Sequence, residues 1–336
     1  MTTPDTAAPS EAFRILIVDD DDTIRDSVAH YLMNFHSGAY RLQVSACADC
    51  ASARALLAQR NRDRLPAFDL IISDIHLPDE DGFKLLRHVR EASPDSRIAL
   101  MTAYQIDDYI RLAKETGVLN IIAKTAPFNF EELSSVVDNL LNAQASFGLS
   151  RYLNADAVIV EETIQKSADI MTVFYQLRDF FSANPVRNVD GLSTALLEAI
   201  TNAVYHAIKL PDGSQKYRKG QEIEALDPCE WVQVQYGRDA ERIGVSIVDQ
   251  GGRITADDIL YWLERNISGA GLLDTHGRGV YLMHTLVDRL IFNLHPGHRT
   301  EIIVIDYFSA EYSANKPLYI NQLCAPSTAP PVTAQG

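Results

Sequence analysis

LLEAITNAVYHA, residues 196–207, is the stretch around which the rest of the chain is arranged. Leu196, Leu197, Ile200, Ala203, Val204 and Ala207 recur at helical spacing and form one apolar face. Glu198 and Asn202 stand four residues apart, so they share another face, one turn from each other. A carboxylate beside a carboxamide is a pair of hard oxygen donors, suited to a hydrated magnesium ion and to orienting a nucleophile. A helix with one polar stripe would show the same pattern, and the flanking sequence decides between the two.

Downstream, residues 211–228 are polar and read as a loop, and residues 231–236 and 242–248 alternate as strands. The second strand ends in Asp249-Gln250-Gly251-Gly252. A carboxylate followed by glycines lets a flat base approach the backbone, and Asp249 is placed to accept a hydrogen bond from an exocyclic amine. Residues 255–258 form a capped helix start, continued by Ile259, Leu260, Trp262 and Leu263. A glycine-rich loop over 266–276 leads to Gly277-Arg278-Gly279 and a helix over 280–287. Glycines at a helix start expose amides to an anion, although the same residues also make simple turns. Residues 289–294 and 301–307 read as strands that finish an antiparallel sheet, giving an α+β sandwich. Upstream, residues 157–162 alternate as a strand, and the apolar spacing over 164–181 predicts a helix.

The first half alternates differently. Apolar runs at 13–18, 42–46, 68–73, 97–101 and 120–123 are each followed by a helical pattern, which predicts a parallel sheet covered on both faces. In such a sheet the site lies beyond the carboxyl ends of the strands. The residues there are Asp19, Asp20, Asp74, Thr102 and Lys124. Three gathered carboxylates are costly unless a cation sits between them, and oxygen-only donors select magnesium. With a lysine charge and a threonine hydroxyl alongside, this is equipment for receiving a phosphoryl group on a carboxylate.

The 336-residue length suits two domains, and a 46% hydrophobic content suits two cores. A formal charge of −15 argues against nucleic acid or an anionic membrane as the main partner. No apolar run reaches transmembrane length and no signal peptide is evident, so a cytoplasmic protein is expected. Cys47, Cys50, Cys229 and Cys324 form no framework, and Cys47-x-x-Cys50 reads as two small packing residues. The domains expected are a disordered start at 1–12, an α/β domain at 13–142, a linker at 143–155, an α+β domain at 156–322 and a disordered tail at 323–336.

The strand-end residues of 13–142 resemble those of bacterial response-regulator receiver domains. The resemblance implies a flavodoxin-like doubly wound fold. Asp74 would be the phosphoacceptor, and Asp19 and Asp20 the magnesium carboxylates, with the His76 backbone carbonyl completing the metal shell. Thr102 would follow the phosphate, and Lys124 would be the family's lysine. Two departures stand out. Lys124 is followed by Thr125-Ala126-Pro127, so the family's Lys-Pro cis bond is displaced or absent. Ile121 occupies the family's aromatic switch position, which leaves Thr102 and its loop to carry any movement.

Glu198-x-x-x-Asn202, Asp249-x-Gly251 and Gly277-x-Gly279, in that order, resemble the ATP-binding domain shared by gyrase, histidine kinases and anti-sigma-factor serine kinases. The wording LLEAITNAVYHA, VDQGG and GRGVYLM is most similar to the anti-sigma branch. The resemblance implies the histidine-kinase-like, or Bergerat, fold. Asn202 would hold magnesium on the ATP phosphates, and Glu198 would position or activate the attacking hydroxyl or water. Asp249 would read adenine, and Gly251 would let the base approach. Gly277 and Gly279 would cradle phosphates, and residues 253–276 would form a lid. Arg278 either touches a phosphate or covers the helix. No histidine lies between His88 and His206, where a histidine kinase carries its phosphoacceptor.

The expectation is a regulator phosphorylated on Asp74 by a sensor histidine kinase. Its ATP domain would phosphorylate a serine or threonine on a small antagonist protein, and could also sequester a sigma factor. Phosphorylation would act through the contact between the halves or through a homodimer. An ATP-gated binding module without transfer is the alternative, and a histidine kinase acting on a separate protein is the third reading.

Overall fold

The computed structural model describes residues 11–35, 40–142, 147–268, 278–310 and 315–323. Strand β1 (Glu11–Val18) begins two residues before the apolar run that predicts it. Ile15 and Ile17 face one core with Leu70, Ile72 and Met101, while Leu16 and Val18 face another with Ile71, Leu85 and Val89. That two-residue period, apolar on both sides, is what a strand buried between helix layers requires. Strands β2 (Tyr40–Cys47), β3 (Leu70–Asp74), β4 (Arg97–Thr102) and β5 (Asn120–Ala123) join it in parallel, in the order β2-β1-β3-β4-β5. Helices α1 (Asp22–Asn34), α2 (Cys50–Arg62), α3 (Gly82–Ala92), α4 (Ile110–Thr116) and α5 (Phe130–Leu141) alternate with them. Asp21, Asp49 and Asp81 cap the first three, each accepting from first-turn amides that the helix leaves unpaired. This is the doubly wound fold expected from the sequence.

The second half comprises β6 (Val158–Ile164), α6 (Ser167–Ser182), α7 (Val189–Tyr205), β7 (Val232–Arg238) and β8 (Arg242–Asp249). It continues through α8 (Ala256–Ile267), α9 (Arg278–Leu286), β9 (Arg289–His295) and β10 (Arg299–Tyr307). These strands pair antiparallel in the order β9-β10-β8-β7-β6. The helices lie on one face: Leu196, Ile200, Ile259 and Met283 share a core with Val234, Val245, Ile247 and Phe292. The α+β sandwich is present.

The two expected sheets are joined edge to edge. Strand β11 (Leu318–Gln322) pairs antiparallel with β5, Leu318 opposite Ile121, and parallel with β9, Tyr319 opposite Ile291. One sheet of eleven strands results, β2-β1-β3-β4-β5-β11-β9-β10-β8-β7-β6. The physical reason is that β5 and β9 would each present an unpaired edge, and one strand covers both.

The expected linker is also tighter than its composition implies. From residue 147 onward it is described, and Leu149, Tyr152 and Leu153 are buried against Ile303, Ile305 and Tyr307. The Gly148 amide donates to Glu301 at 3.0 Å, and Glu301 also accepts from Asn293 at 2.8 Å. Linker and α5 therefore cover the face of the second sheet opposite its helices. On the other side, α4 packs on α8, and the Lys114 ammonium meets Glu264 at 2.8 Å. Residues 1–10 and 324–336, most of the expected disordered ends, lie outside the described residues, as do 143–146.

Candidate functional site

The first site forms where β1, β3, β4 and β5 end. Asp19, Asp20 and Asp74 each offer a carboxylate oxygen, and these lie within 4.8 Å of one another. Asp19 and Asp74 are buried and Asp20 is exposed. Lys124 reaches into the group, 2.8 Å from Asp19 Oδ2 and in closer contact with Asp74 Oδ2. Burial raises the Asp19 pKa, against the lowering effect of Lys124. Burial disfavours the Lys124 charge, but its bonds to Asp19 and Asp74 outweigh that and raise its pKa. One lysine does not balance three carboxylates, two of them buried, and this donor set fits a magnesium ion.

Thr102 is buried at the end of β4, where its hydroxyl accepts from the Tyr104 amide at 3.0 Å. The His76 amide donates to Asp74 Oδ1 at 3.1 Å, which turns the residue after Ile75 back toward that carboxylate. Sequence reading did not single out the aromatic rim of this site. The His76 ring lies 4.6 Å from that of Tyr104, and the Tyr109 hydroxyl is 3.2 Å from His76 Nε2. The spacing of Tyr104 from Thr102 was the available signal. Ile121 is fully buried on β5 beside β11, so its place is an interior one that an apolar side chain suits. The cis bond is displaced by two residues, to Ala126-Pro127.

The second site is built on α7. Of its predicted apolar face, Leu196, Ile200, Ala203, Val204 and Ala207 are buried and Leu197 is partly so. Glu198 and Asn202 are half-buried on another side, as their spacing requires. Glu198 lies against α9: a β-carbon placed on Gly279 would be 2.5 Å from Glu198 Cγ and 3.0 Å from its Oε1. The helix start that sequence reading assigned to phosphates is therefore in contact with the carboxylate assigned to the nucleophile. Lys219, from the polar loop, meets Glu198 Oε2 at 3.2 Å and was not anticipated.

Asp249 ends β8 and is buried. Its Oδ1 accepts from the Gly251 amide at 2.8 Å and the Gly252 amide at 3.3 Å. Burial pushes its pKa up to about 6 against those two bonds. Gly251 is fixed by close approach: a β-carbon there would sit 2.1 Å from the Ala207 carbonyl oxygen. That contact ties the adenine-type motif to the end of the α7 segment carrying Glu198 and Asn202. A buried carboxylate at a strand end is of the chemistry that would accept from the amine of an adenine base. Of the proposed lid, α8 is described; Gly277 and the rest of 269–277 lie outside the described residues, and for Arg278 only the backbone is described.

Residues 15–138 match the model of the response regulator receiver domain, and residues 184–305 match that of the histidine kinase-like ATPase domain. The two-component response regulator ARR2 of Arabidopsis thaliana is 34% identical over 123 residues, which are 37% of this chain and 17% of that protein. The response regulator protein PilR of Pseudomonas aeruginosa is 29% identical over 133 residues, 39% of this chain and 27% of that protein. The chain thus spans less than a third of the length of either relative. Among solved structures, the chemotaxis response regulator CheY4 of Vibrio cholerae aligns at 27% identity with a TM-score of 0.31, covering 39% of this chain and 99% of that one. Among the described residues, no helix is long and apolar enough to cross a membrane.

Proposed function

We infer, from a chain that joins a response regulator receiver domain to a histidine-kinase-like ATPase domain, that it is a phosphorylation-controlled regulator with an ATP-dependent output. A sensor histidine kinase is the phosphodonor. The Asp74 carboxylate attacks the phosphorus of the donor's phosphohistidine, and the P–N bond breaks. Lys124 holds the acceptor against Asp19 and balances charge that builds on the phosphoryl oxygens. The Thr102 hydroxyl is the donor available at the next strand end. Magnesium held by Asp19, Asp20, Asp74 and the His76 carbonyl would neutralise the remaining charge.

The output is serine/threonine kinase activity of the anti-sigma-factor type, directed at a small antagonist protein, with a sigma factor as the second partner. Asp249 would accept from the adenine amine, Asn202 would bind the phosphate-bound magnesium, and the Gly277-Arg278-Gly279 segment would serve the phosphates. Glu198 takes the proton from the attacking hydroxyl. The observation that supports this reading is the contact of Glu198 with Gly279: a carboxylate, the kind of group that can serve as general base, lies beside the start of α9.

Extract from the protein's own cell, incubated with the full-length chain and γ-labelled ATP, tests it. Label on a small second protein, stable to acid and lost in base, supports the kinase. That label should vanish with Asn202→Ala, and Glu198→Ala should abolish transfer while sparing ATP binding. ATP binding without labelled protein, with the antagonist shown to be present, would replace transfer by an ATP-gated binding module. Acid-labile label would point to histidine chemistry.

A further inference from the structure

Two adjacent residues ahead of β11 grip the two halves of the molecule. The Asn315 carboxamide is fastened at both ends to the loop after Thr102: its Nδ2 donates to the Ala103 carbonyl at 2.9 Å, and its Oδ1 accepts from Gln105 Nε2 at 3.0 Å. Lys316, the next residue, reaches the other way. Its ammonium donates to the carbonyls of His284 at 3.0 Å and Val287 at 2.7 Å, and also to that of Thr285. Those carbonyls lie at the carboxyl end of α9, where a helix has no partners of its own for them and where a cation is favoured. Two residues later Leu318 enters the sheet opposite Ile121, so the pair has little freedom to swing independently.

The charges around Lys316 belong to both halves. Burial lowers its pKa, while Asp288 and Asp306 from the β9–β10 layer and Asp107 from the turn after Gln105 act to raise it. Arg289 opposes the Lys316 charge from the same layer. The far end of α9 is the end on which Glu198 packs. One dipeptide thus connects the loop beside the phosphoacceptor to the helix whose start faces the ATP site.

We propose that Asn315 and Lys316 are positioning residues that link the loop after Thr102 to helix α9, so that phosphorylation of Asp74 changes how α9 is held at the ATP site. The inference rests on the reading of Asp74 as the phosphoacceptor and of α9 as the phosphate-facing helix. When Thr102 shifts toward a phosphoryl group, Ala103 and Gln105 move with it. Asn315 follows through its two bonds, and Lys316 is drawn along or off the end of α9. The helix is short, and a displacement at one end is felt at Gly279 and Glu198.

Hydrogen–deuterium exchange on the full chain, with and without magnesium and beryllofluoride as the phosphoryl mimic, tests the link without needing ATP. In the wild type, beryllofluoride should change exchange in peptides covering both 103–108 and 278–287, each by about 5-fold or more. In Asn315→Ala and in Gln105→Ala the 103–108 response should persist while the 278–287 response falls to within about 2-fold. Lys316→Met should uncouple α9 in the same way, and Lys316→Arg should restore the response. A preserved α9 response in Asn315→Ala, or a wild-type α9 that ignores a loop which does respond, overturns the link. If neither segment responds, the Asp74 reading fails; the link then stands or falls on whether Asn315→Ala alone speeds exchange in 278–287. Failure to bind ATP, measured separately, would remove the function assigned to α9 and leave this result standing.

Discussion

Arg289, at the start of β9, forms a two-point ion pair with Glu132 of α5: Nε to Oε1 at 2.5 Å and Nη2 to Oε2 at 2.9 Å, both side chains buried. The pair joins a residue of the half that matches the histidine kinase-like ATPase domain to one of the half that matches the receiver domain. Tyr319 of β11, the strand shared by both, donates its hydroxyl to the same carboxylate at 2.7 Å. Nearby, Arg242 of β8 pairs with Glu131 at 2.8 Å. A buried pair of this kind adds little net stability by itself but penalises heavily any state that leaves one partner behind. With β11 in the sheet, it makes separation of the halves costly.

Arg289→Met should therefore destabilise the chain by about 3–5 kcal/mol, because Glu132 is left charged and unpaired in the interior. Urea unfolding followed by circular dichroism is the measurement. The wild type should unfold in one transition, and the variant should show two as the halves part. Adding Glu132→Leu and Tyr319→Phe should recover most of the loss, since no charge or hydroxyl is then stranded.

Magnesium should stabilise the wild type, because the cluster of Asp19, Asp20 and Asp74 exists only in the folded chain. At a hundred times Kd the gain is about 2.7 kcal/mol, read as a rise in Tm that saturates with magnesium. Asp19→Asn with Asp20→Asn should remove the magnesium response while raising stability in its absence, since the buried Asp19 charge, which burial and Asp74 both disfavour, is then gone. A magnesium response unchanged in the double variant would place the ion elsewhere.

The strand-end residues were legible because each follows an apolar run and the parallel-sheet rule says where such ends gather. Glu198 and Asn202 were legible because i,i+4 spacing is local. What was not legible depends on partners far along the chain. LYINQ is five residues with no strong alternation, and its strand status comes from the open edges of β5 and β9. Residues 142–154 break the helical pattern with small and polar residues, yet Leu149, Tyr152 and Leu153 among them are buried because the second sheet has a bare face to cover. Glu132 and Arg289 look like surface charges in sequence, and only the closure of the two halves buries them together.

Asp249 should make both stability and ATP binding depend on pH near 6, in opposite senses. Burial raises its folded pKa from the ordinary 3.8 to about 6, so its contribution to stability is full below the unfolded value and is lost as pH rises through 6. The loss by pH 7–8 is about 3 kcal/mol at most. Asp249→Asn should thus be more stable than the wild type at pH 7.5, with the difference shrinking toward pH 4. ATP affinity should run the other way, since the amine of adenine needs the ionised carboxylate, and wild-type binding should weaken as pH falls below 6. Urea midpoints and ATP titrations of both proteins from pH 4.5 to 7.5 decide it, and parallel profiles for the two proteins would rule Asp249 out as the titrating group.

Gly251 and Gly279 permit the same substitution with different expected consequences. A methyl group on Gly251 meets the Ala207 carbonyl at 2.1 Å, a backbone atom that can yield only if the end of the α7 segment shifts. Gly251→Ala should cost roughly 1–3 kcal/mol and weaken ATP binding together with stability. On Gly279 the methyl meets the Glu198 side chain, which is half-exposed and can rotate away, so the fold should tolerate it. What is lost is the placement of the carboxylate: Gly279→Ala should lower phosphotransfer by about 10²-fold, the range for a misplaced catalytic group, with little change in Tm. Thermal melts beside transfer assays separate the two cases. A Gly279→Ala protein that transfers phosphate at the wild-type rate would show that the position of Glu198 against α9 is not needed for the chemistry.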